Sequence, residues 1–424
     1  MSIDIRCAIA GNVDSGKSSL IGYLTKGVRD NGRGLSRSYI LHHPHEKQTG
    51  RTSSIALHIL GFDTEGKIVN IHPKMEWKDI VNKSKKILTI LDTCGHEKYI
   101  KTTIRGLSFS RPDFVMILVG GNMGVQKMTI EHLNLCSALQ IPFIIVITKI
   151  DLCDERKNVL QETINSVRNT LSKGKYKMYE IKEEADNDIT LKTFYRPKNK
   201  LTPIFKTSTV SEEGMPLLKS FLSKISPRAL GIEDPSRRME ETHHNESVSL
   251  MIESMYNIKG VGLVVGGELE SGTISVGDTL SLGPDDEGKY HPIQVKTIHC
   301  KRVLVDKTVS GVYVCLGIRN IDDIKIRKGM VVVSKDNEIA LTEFKAKVTI
   351  LRHHTTIKVG YEPVCHIVSI RQTCKIIAIE GKECLRSGDT AIITLRCLKR
   401  PEYIKTGMKM ILCSGLTRGV GIII

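Results

Sequence analysis

This chain of 424 residues is poor in aromatics: Phe, Trp and Tyr make up 5% of it, with a single tryptophan. So sparse a supply argues against a surface that reads nucleic-acid bases by stacking them on exposed rings. No apolar run approaches the roughly 20 residues that cross a bilayer as a helix, and the first residues enter an apolar strand pattern without a signal-peptide hydrophobic region. The expectation is a cytoplasmic protein with no membrane partner. The 11 cysteines are odd in number and include no C-x-x-C pair. Reduced thiols fit this better than a disulfide framework or a zinc site. His42, His43 and His45 cluster, but a proline stands between them and no distant ligands match, so the ligand count argues against a metal there. No repeat of solenoid period is present.

Positive charge, by contrast, is abundant. The net charge is +16, distributed as +10 over residues 1–245 (37 basic, 27 acidic), −2 over 246–340 (11 and 13) and +8 over 341–424 (14 and 6). A surplus of this size favours attraction to nucleic-acid phosphate over a plain solvated lysine surface. The length allows two to three domains, each with its own core. Residues 1–225 alternate apolar strands with helical patterns such as 129–139, the signature of a mainly parallel, helix-covered sheet. A polar, Pro- and Gly-containing stretch at 226–247 reads as a linker. Beyond it come short strands punctuated by glycine, as at 259–266 and 277–280. The charge-rich stretch near 173–200 shows little periodicity and is taken as an insertion in the first domain.

The chemistry is concentrated in three motifs. Residues 11–18 read GNVDSGKS between an apolar run and a helix-like stretch, which is the phosphate-binding P-loop in its strand-loop-helix setting. Its glycines allow the backbone to wrap a phosphate chain, so that N–H groups across Asn12, Val13, Asp14, Ser15, Gly16, Lys17, Ser18 and Ser19 face the anionic oxygens. Lys17 would reach the terminal phosphates and Ser18 a magnesium ion. After a further apolar strand, Thr148-Lys149-Ile150-Asp151 places a carboxylate where it can accept from both N1–H and the 2-amino group of guanine, a donor pair that adenine lacks. Between the two motifs, the run 86–91 delivers Asp92-Thr93-Cys94-Gly95-His96 to the mouth of the sheet. Asp92 would support the metal, Gly95 would bring its backbone N–H to the γ-phosphate, and His96 stands where a hydrolytic water can be oriented. Cys94 is expected to be a small apolar filler.

GNVDSGKS, DTCGHEKY and TKID, with the later segments, resemble the translational GTPases, the superfamily of elongation factors Tu and 1-alpha. NGRG (31–34), GRTSS (50–54), SIRQT (369–373) and PEY (401–403) extend the likeness toward its branch called GTP-binding protein one and two. The resemblance implies an α/β P-loop GTPase domain at 1–225 followed by two β-barrel domains, at 248–340 and 341–424. It implies that Thr52 is the switch threonine binding magnesium and γ-phosphate in the GTP state, with Ser53 as the fallback if the register is off by one. It further implies that Ser208 and Thr209, after the strand 203–207, form the guanine loop, although Thr209 stands where the family has alanine. Two departures stand out. Arg51 occupies the place of an apolar residue beside the catalytic histidine, and Leu416 replaces an arginine found in many relatives.

A GTPase with GTP/GDP and Mg2+ as cofactors is therefore expected, acting as a monomer on the ribosome, tRNA or another RNA, with an exchange factor that the sequence does not name. Two alternatives share the motifs. One is the GTPase subunit of a sulfate-adenylyltransferase-like complex, and the other is an RNA-binding adaptor that binds GTP without hydrolysing it.

Overall fold

The computed structural model describes residues 3–41, 56–70, 72–96, 103, 112–196, 200–228, 247–320, 325–414 and 417–424. It divides into two compact units, Met1–Met239 and Glu240–Ile424.

In the first unit the apolar runs form one sheet of seven strands: β1 (Ile3–Gly11), β2 (Ala56–Phe62), β3 (Lys86–Asp92), β4 (Phe114–Gly120), β5 (Phe143–Thr148), β6 (Lys177–Glu180) and β7 (Leu201–Lys206). Their spatial order is β2-β3-β1-β4-β5-β7-β6, and every pairing is parallel except β2 with β3. All residues of β4 and β5 are buried. A parallel sheet covered on both faces requires this, and it is why these strands read as unbroken apolar runs rather than alternations. The helices are α1 (Lys17–Lys26), α2 (Leu35–Ser38), α3 (Trp77–Lys83), α4 (Lys127–Ala138), α5 (Lys157–Lys173), α6 (Glu184–Leu191) and α7 (Met215–Lys224). Much of the scarce aromatic content lies inside this unit: Phe194 and Phe205 pack edge-to-face on Phe221 at centroid distances of 5.7 and 5.3 Å. Because the strands run parallel, the C-terminal ends of β1, β3, β4, β5 and β7 line one edge of the sheet, where the loops of such folds gather their ligands.

The stretch 173–200 contains an edge strand and a helix of this sheet. β6 pairs in parallel with β7, and the acidic residues after it cap α6: Glu183 and Asp186 form a reciprocal capping box, and Tyr179 donates to Asp186 Oδ1 at 2.9 Å. A four-residue strand with half-buried side chains gives no readable period, and carboxylates used as caps look like a solvated run.

The described residues of the second unit form β-strands, with one short 3-10 turn at Lys335–Asn337. Strands β8 (Ser249–Ile258), β9 (Gly262–Ser271), β10 (Thr273–Ser275), β11 (Thr279–Gly283), β12 (His291–Cys300), β13 (Val303–Val305), β14 (Lys307–Val309), β15 (Tyr313–Arg319) and β16 (Val331–Val333) come first. Six of them close in the order β11-β16-β8-β9-β15-β12, with β12 returning to β11. Strands β17 (Glu343–Arg352), β18 (Val364–Ile367), β19 (Ile370–Ile379), β20 (Thr390–Cys397), β21 (Lys409–Ser414) and β22 (Thr417–Ile423) close in the order β17-β20-β19-β18-β21-β22. The expected architecture, an α/β domain followed by two barrels, is what the chain forms. Along β17, Phe344, Ala346, Val348 and Ile350 are buried while Lys345 and Lys347 are exposed, the period of two that one wet face imposes. Between the barrels the carboxylate of Glu402, 1% exposed, accepts from Arg327 Nη1 at 2.9 Å and Gln372 Nε2 at 3.0 Å.

Candidate nucleotide-binding site

The P-loop turns because two of its positions adopt left-handed backbone: Asp14 at φ 60° and Gly16 at φ 83°, the latter directly before α1. Asn12 O accepts from both N–H and Oγ of Ser15, at 3.3 and 2.9 Å. Within the loop lies Lys17, 7% exposed, its Nζ donating to Gly11 O at 3.2 Å and Asn12 O at 2.7 Å. Burial lowers its pKa, while the nearby charges of Asp92 and Asp14 pull it back up. Glycine is required at position 95 by closeness: a Cβ there would stand 2.3 Å from Lys17 Nζ and 2.8 Å from Gly11 O. A buried cation, the N-terminus of a ten-residue helix and glycines at 11, 16 and 95 that leave the backbone approachable make a cradle that fits a phosphate chain. Ser18 and Asp92 supply oxygen donors of the type magnesium takes. They are too few for an all-protein cage, the usual situation where substrate phosphates complete the shell.

The Asp92–His96 segment is pinned to β1. Thr93 donates to Ile9 O through N–H and Oγ1, at 3.3 and 2.7 Å, and Thr103 Oγ1 donates to Cys94 O at 2.8 Å. Cys94 is fully buried, the small filler expected of it. Gly95 is buried beside Lys17, and His96 is exposed. Thr52, its fallback Ser53, Arg51, the histidines 42, 43 and 45, and Leu416 lie outside the described residues.

The base motif is wired to the phosphate loop. Thr148 Oγ1 donates to Ser15 O at 2.8 Å, so the end of β5 supports the turn that precedes α1. Lys149 takes a left-handed φ of 59°, and the next peptide N–H, of Ile150, reaches Thr207 O at 3.4 Å. Ser208, fully buried, donates to Asp151 Oδ1 at 2.6 Å and accepts from the N–H groups of Val210 and Ser211 at 3.0 Å each. Its hydroxyl thereby orients the carboxylate and folds the loop at once. Thr209 O accepts from Asp30 N–H at 3.0 Å. One sheet edge thus carries Asn12–Ser19, Asp92 and Gly95 at the β1 and β3 ends, and Thr148, Lys149, Asp151, Ser208 and Thr209 at the β5 and β7 ends.

One buried residue near the cradle is absent from the sequence motifs. His132 on α4 is fully buried, with neither ring nitrogen hydrogen-bonded among the described residues. Burial, and then the charge of Lys17, lower its pKa to about 3 and keep the ring neutral. Its one sequence signal is a histidine on the apolar side of the 129–139 helical pattern.

Comparison with known proteins agrees along the whole chain. Residues 4–228 match the elongation factor Tu GTP binding domain, 262–333 elongation factor Tu domain 2 and 339–424 the elongation factor Tu C-terminal domain. GTP-binding protein 1 of Xenopus laevis is 40% identical over 426 residues, covering 99% of this chain and 63% of that protein. GTP-binding protein 2 of Homo sapiens is 38% identical over 421 residues, covering 99% and 69%. The chain therefore spans about two thirds of the length of these relatives. Among solved structures, the bacterial selenocysteine-specific elongation factor EF-Sec superposes with a TM-score of 0.67 at 20% identity, over 100% of this chain and 58% of that one. The Ski7 GTPase-like domain of S. cerevisiae bound to GTP superposes with a TM-score of 0.69 at 16% identity, over 100% and 97%. These two likenesses concern the fold. With its P-loop, its base motif and both barrels matched in order, the chain belongs to the elongation factor Tu family of GTP-binding proteins.

Proposed function

We propose that this chain hydrolyses GTP to GDP as a conformational switch and acts, as a monomer, on the ribosome, tRNA or another RNA in translation or mRNA surveillance. The observation that carries the reading is the hydrogen bond from Ser208 to Asp151 on the same sheet edge as the buried Lys17, with Thr148 joining the two loops. Asp151 accepts from guanine N1–H and the 2-amino group, Lys149 lies along the base, and the N–H of Thr209 serves guanine O6. The amides of Asn12 to Ser19 and the Lys17 ammonium hold the phosphates. Ser18, Thr52 and Asp92 hold magnesium, which when bound neutralises charge on the phosphate oxygens.

Thr52 and Gly95 sense the γ-phosphate, and release of those contacts after hydrolysis is what converts chemistry into a change of shape. His96 orients the attacking water. An exposed histidine is within reach of a partner that could position it for this step, so that positioning and electrostatics supply most of the acceleration. Residues 1–225 carry this chemistry, 226–247 link it to the barrels at 248–340 and 341–424, and the +8 charge of the last segment faces RNA phosphate.

The test is the rate of GTP hydrolysis by the whole chain with and without ribosomes, aminoacyl-tRNA present. Strong stimulation that His96→Ala removes, at near-native GTP affinity, is expected, because a water-orienting group acts chiefly in the transition state. Stimulated turnover that survives in His96→Ala would return His96 to a structural role, and GTP binding without any ribosome-stimulated turnover would favour an adaptor.

A further inference from the structure

The loop that carries Ser208 and Thr209 is fastened to α1 by side chains that no motif accounts for. Tyr23, on α1 and 5% exposed, donates its hydroxyl to Glu212 Oε1 at 2.7 Å. Lys219, on α7, donates to the same phenol oxygen at 3.0 Å and holds its ammonium 4.5 Å from the ring centroid. Glu212 sits at φ 67°, a left-handed backbone that a residue with a Cβ rarely adopts and keeps only when its surroundings enforce it. The turn beyond it is fixed as well: a Cβ on Gly214 would stand 1.8 Å from Lys206 O. Two further tethers run from the segment after α1 to the loop backbone, Asp30 N–H to Thr209 O and Arg29 Nε to Val210 O. Burial and the adjacent Glu212 raise the Tyr23 pKa, so its hydroxyl remains a donor at neutral pH.

The same helix begins with Lys17 and Ser18 at the phosphate end. A movement of α1 that frees the phosphates therefore pulls on the loop that holds the base, and a partner that unseats residues 208–214 loosens the cradle in return.

Building on the guanine-nucleotide reading above, we infer that Tyr23, Glu212 and Lys219 form a latch of positioning residues between the phosphate loop and the guanine loop, and that this latch sets the rate of GDP release. A hydrogen bond from a neutral donor to a carboxylate contributes enough that its loss should speed release roughly tenfold.

The experiment is stopped-flow release of a fluorescent GDP analogue from the whole chain, native and variant, with native binding measured first. Tyr23→Phe keeps the ring under the Lys219 ammonium while deleting the hydroxyl, and with it the bond to Glu212 and the bond from Lys219. Glu212→Gly removes the carboxylate yet relieves the left-handed backbone, so it should raise or preserve thermal stability while it accelerates release. A purely structural role cannot produce that opposition. Both variants should release GDP about ten times faster than native, and the double variant little faster than either alone, because one interaction is lost only once. Release rates within twofold of native in both single variants, or full additivity in the double, would overturn the latch. A native chain that does not bind GDP would overturn the latch together with the reading it rests on, a result distinct from either.

Discussion

Two clusters of buried polar groups, one in each unit, serve opposite ends. In the second, the buried carboxylate of Glu402 is answered from within, by Arg327 and Gln372, and Tyr403 meets Ser249 across 3.3 Å. Closed barrels leave no sheet edge to satisfy, and the buried polar groups between them serve cohesion. In the first, the buried Lys17 leans on two carbonyls of its own loop, Ser208 aims Asp151, and His132 has no hydrogen-bond partner at either ring nitrogen among the described residues. Lys17, Ser208 and Asp151 stand at the C-terminal edge of a parallel sheet, where the strands have ended and the loops have room for a ligand. Buried polarity that closes on itself makes a scaffold, and buried polarity turned toward a sheet edge makes a site.

Single substitutions sharpen that contrast. The largest effect is expected of Lys17→Met, which removes the buried ammonium from the cradle. Loss of one partner of a buried charged hydrogen-bonded pair costs about 2–5 kcal/mol, on the order of a thousandfold in GTP affinity. Calorimetric titration of the whole chain should show this loss with the thermal transition of the nucleotide-free protein nearly unchanged. Glu402→Ala should do the reverse, lowering stability by about 3 kcal/mol because Arg327 loses its buried partner and keeps only the exposed Asp286 at 3.8 Å, at unchanged GTP affinity. Urea unfolding followed beside nucleotide titration distinguishes the two, and a loss of GTP affinity in Glu402→Ala would break the contrast.

A smaller effect follows from His132. Its folded pKa of about 3 lies below the ordinary histidine value, so the unfolded chain takes up a proton as pH falls below about 6.5 and the folded chain does not. The stability it contributes is complete above that pH and is lost on acidification, by about 1.4 kcal/mol per pH unit until the folded pKa is reached. Urea midpoints at pH 7 and 5.5 should therefore fall more steeply for the native chain than for His132→Leu. Equal slopes would mean that the buried ring finds a charge partner.

How much of this was legible in the sequence differs between the units in the same way. Strands β1, β3, β4 and β5 announced themselves as apolar runs because both faces are covered, and the residues after them were readable because phosphate and guanine recognition demand particular side chains at fixed spacing. The tie between Thr148 and Ser15, 133 residues apart, was not readable, since nothing local in either motif names the other. Neither was Tyr23, an ordinary apolar position of α1 until Glu212 comes to it across the fold. β6 was hidden by its shortness and by carboxylates that cap α6 while remaining at the solvent. The barrels could be placed by resemblance and by glycine-punctuated strands, but the junction at Glu402 joins residues 75 apart, Arg327 and Glu402, in a charge pair without local signature.

The central claim is that Asp151, held by Ser208, chooses the base, and base competition tests it most directly. GTP, xanthosine triphosphate and ATP are titrated against the native chain and Asp151→Asn. The account predicts strong preference for GTP over ATP in the native protein. In Asp151→Asn it predicts weakened GTP binding and a shift toward the xanthine nucleotide, whose 2-oxo group accepts from an amide where guanine presents donors. Equal native affinity for ATP and GTP, or a variant whose base preference does not move, would contradict it.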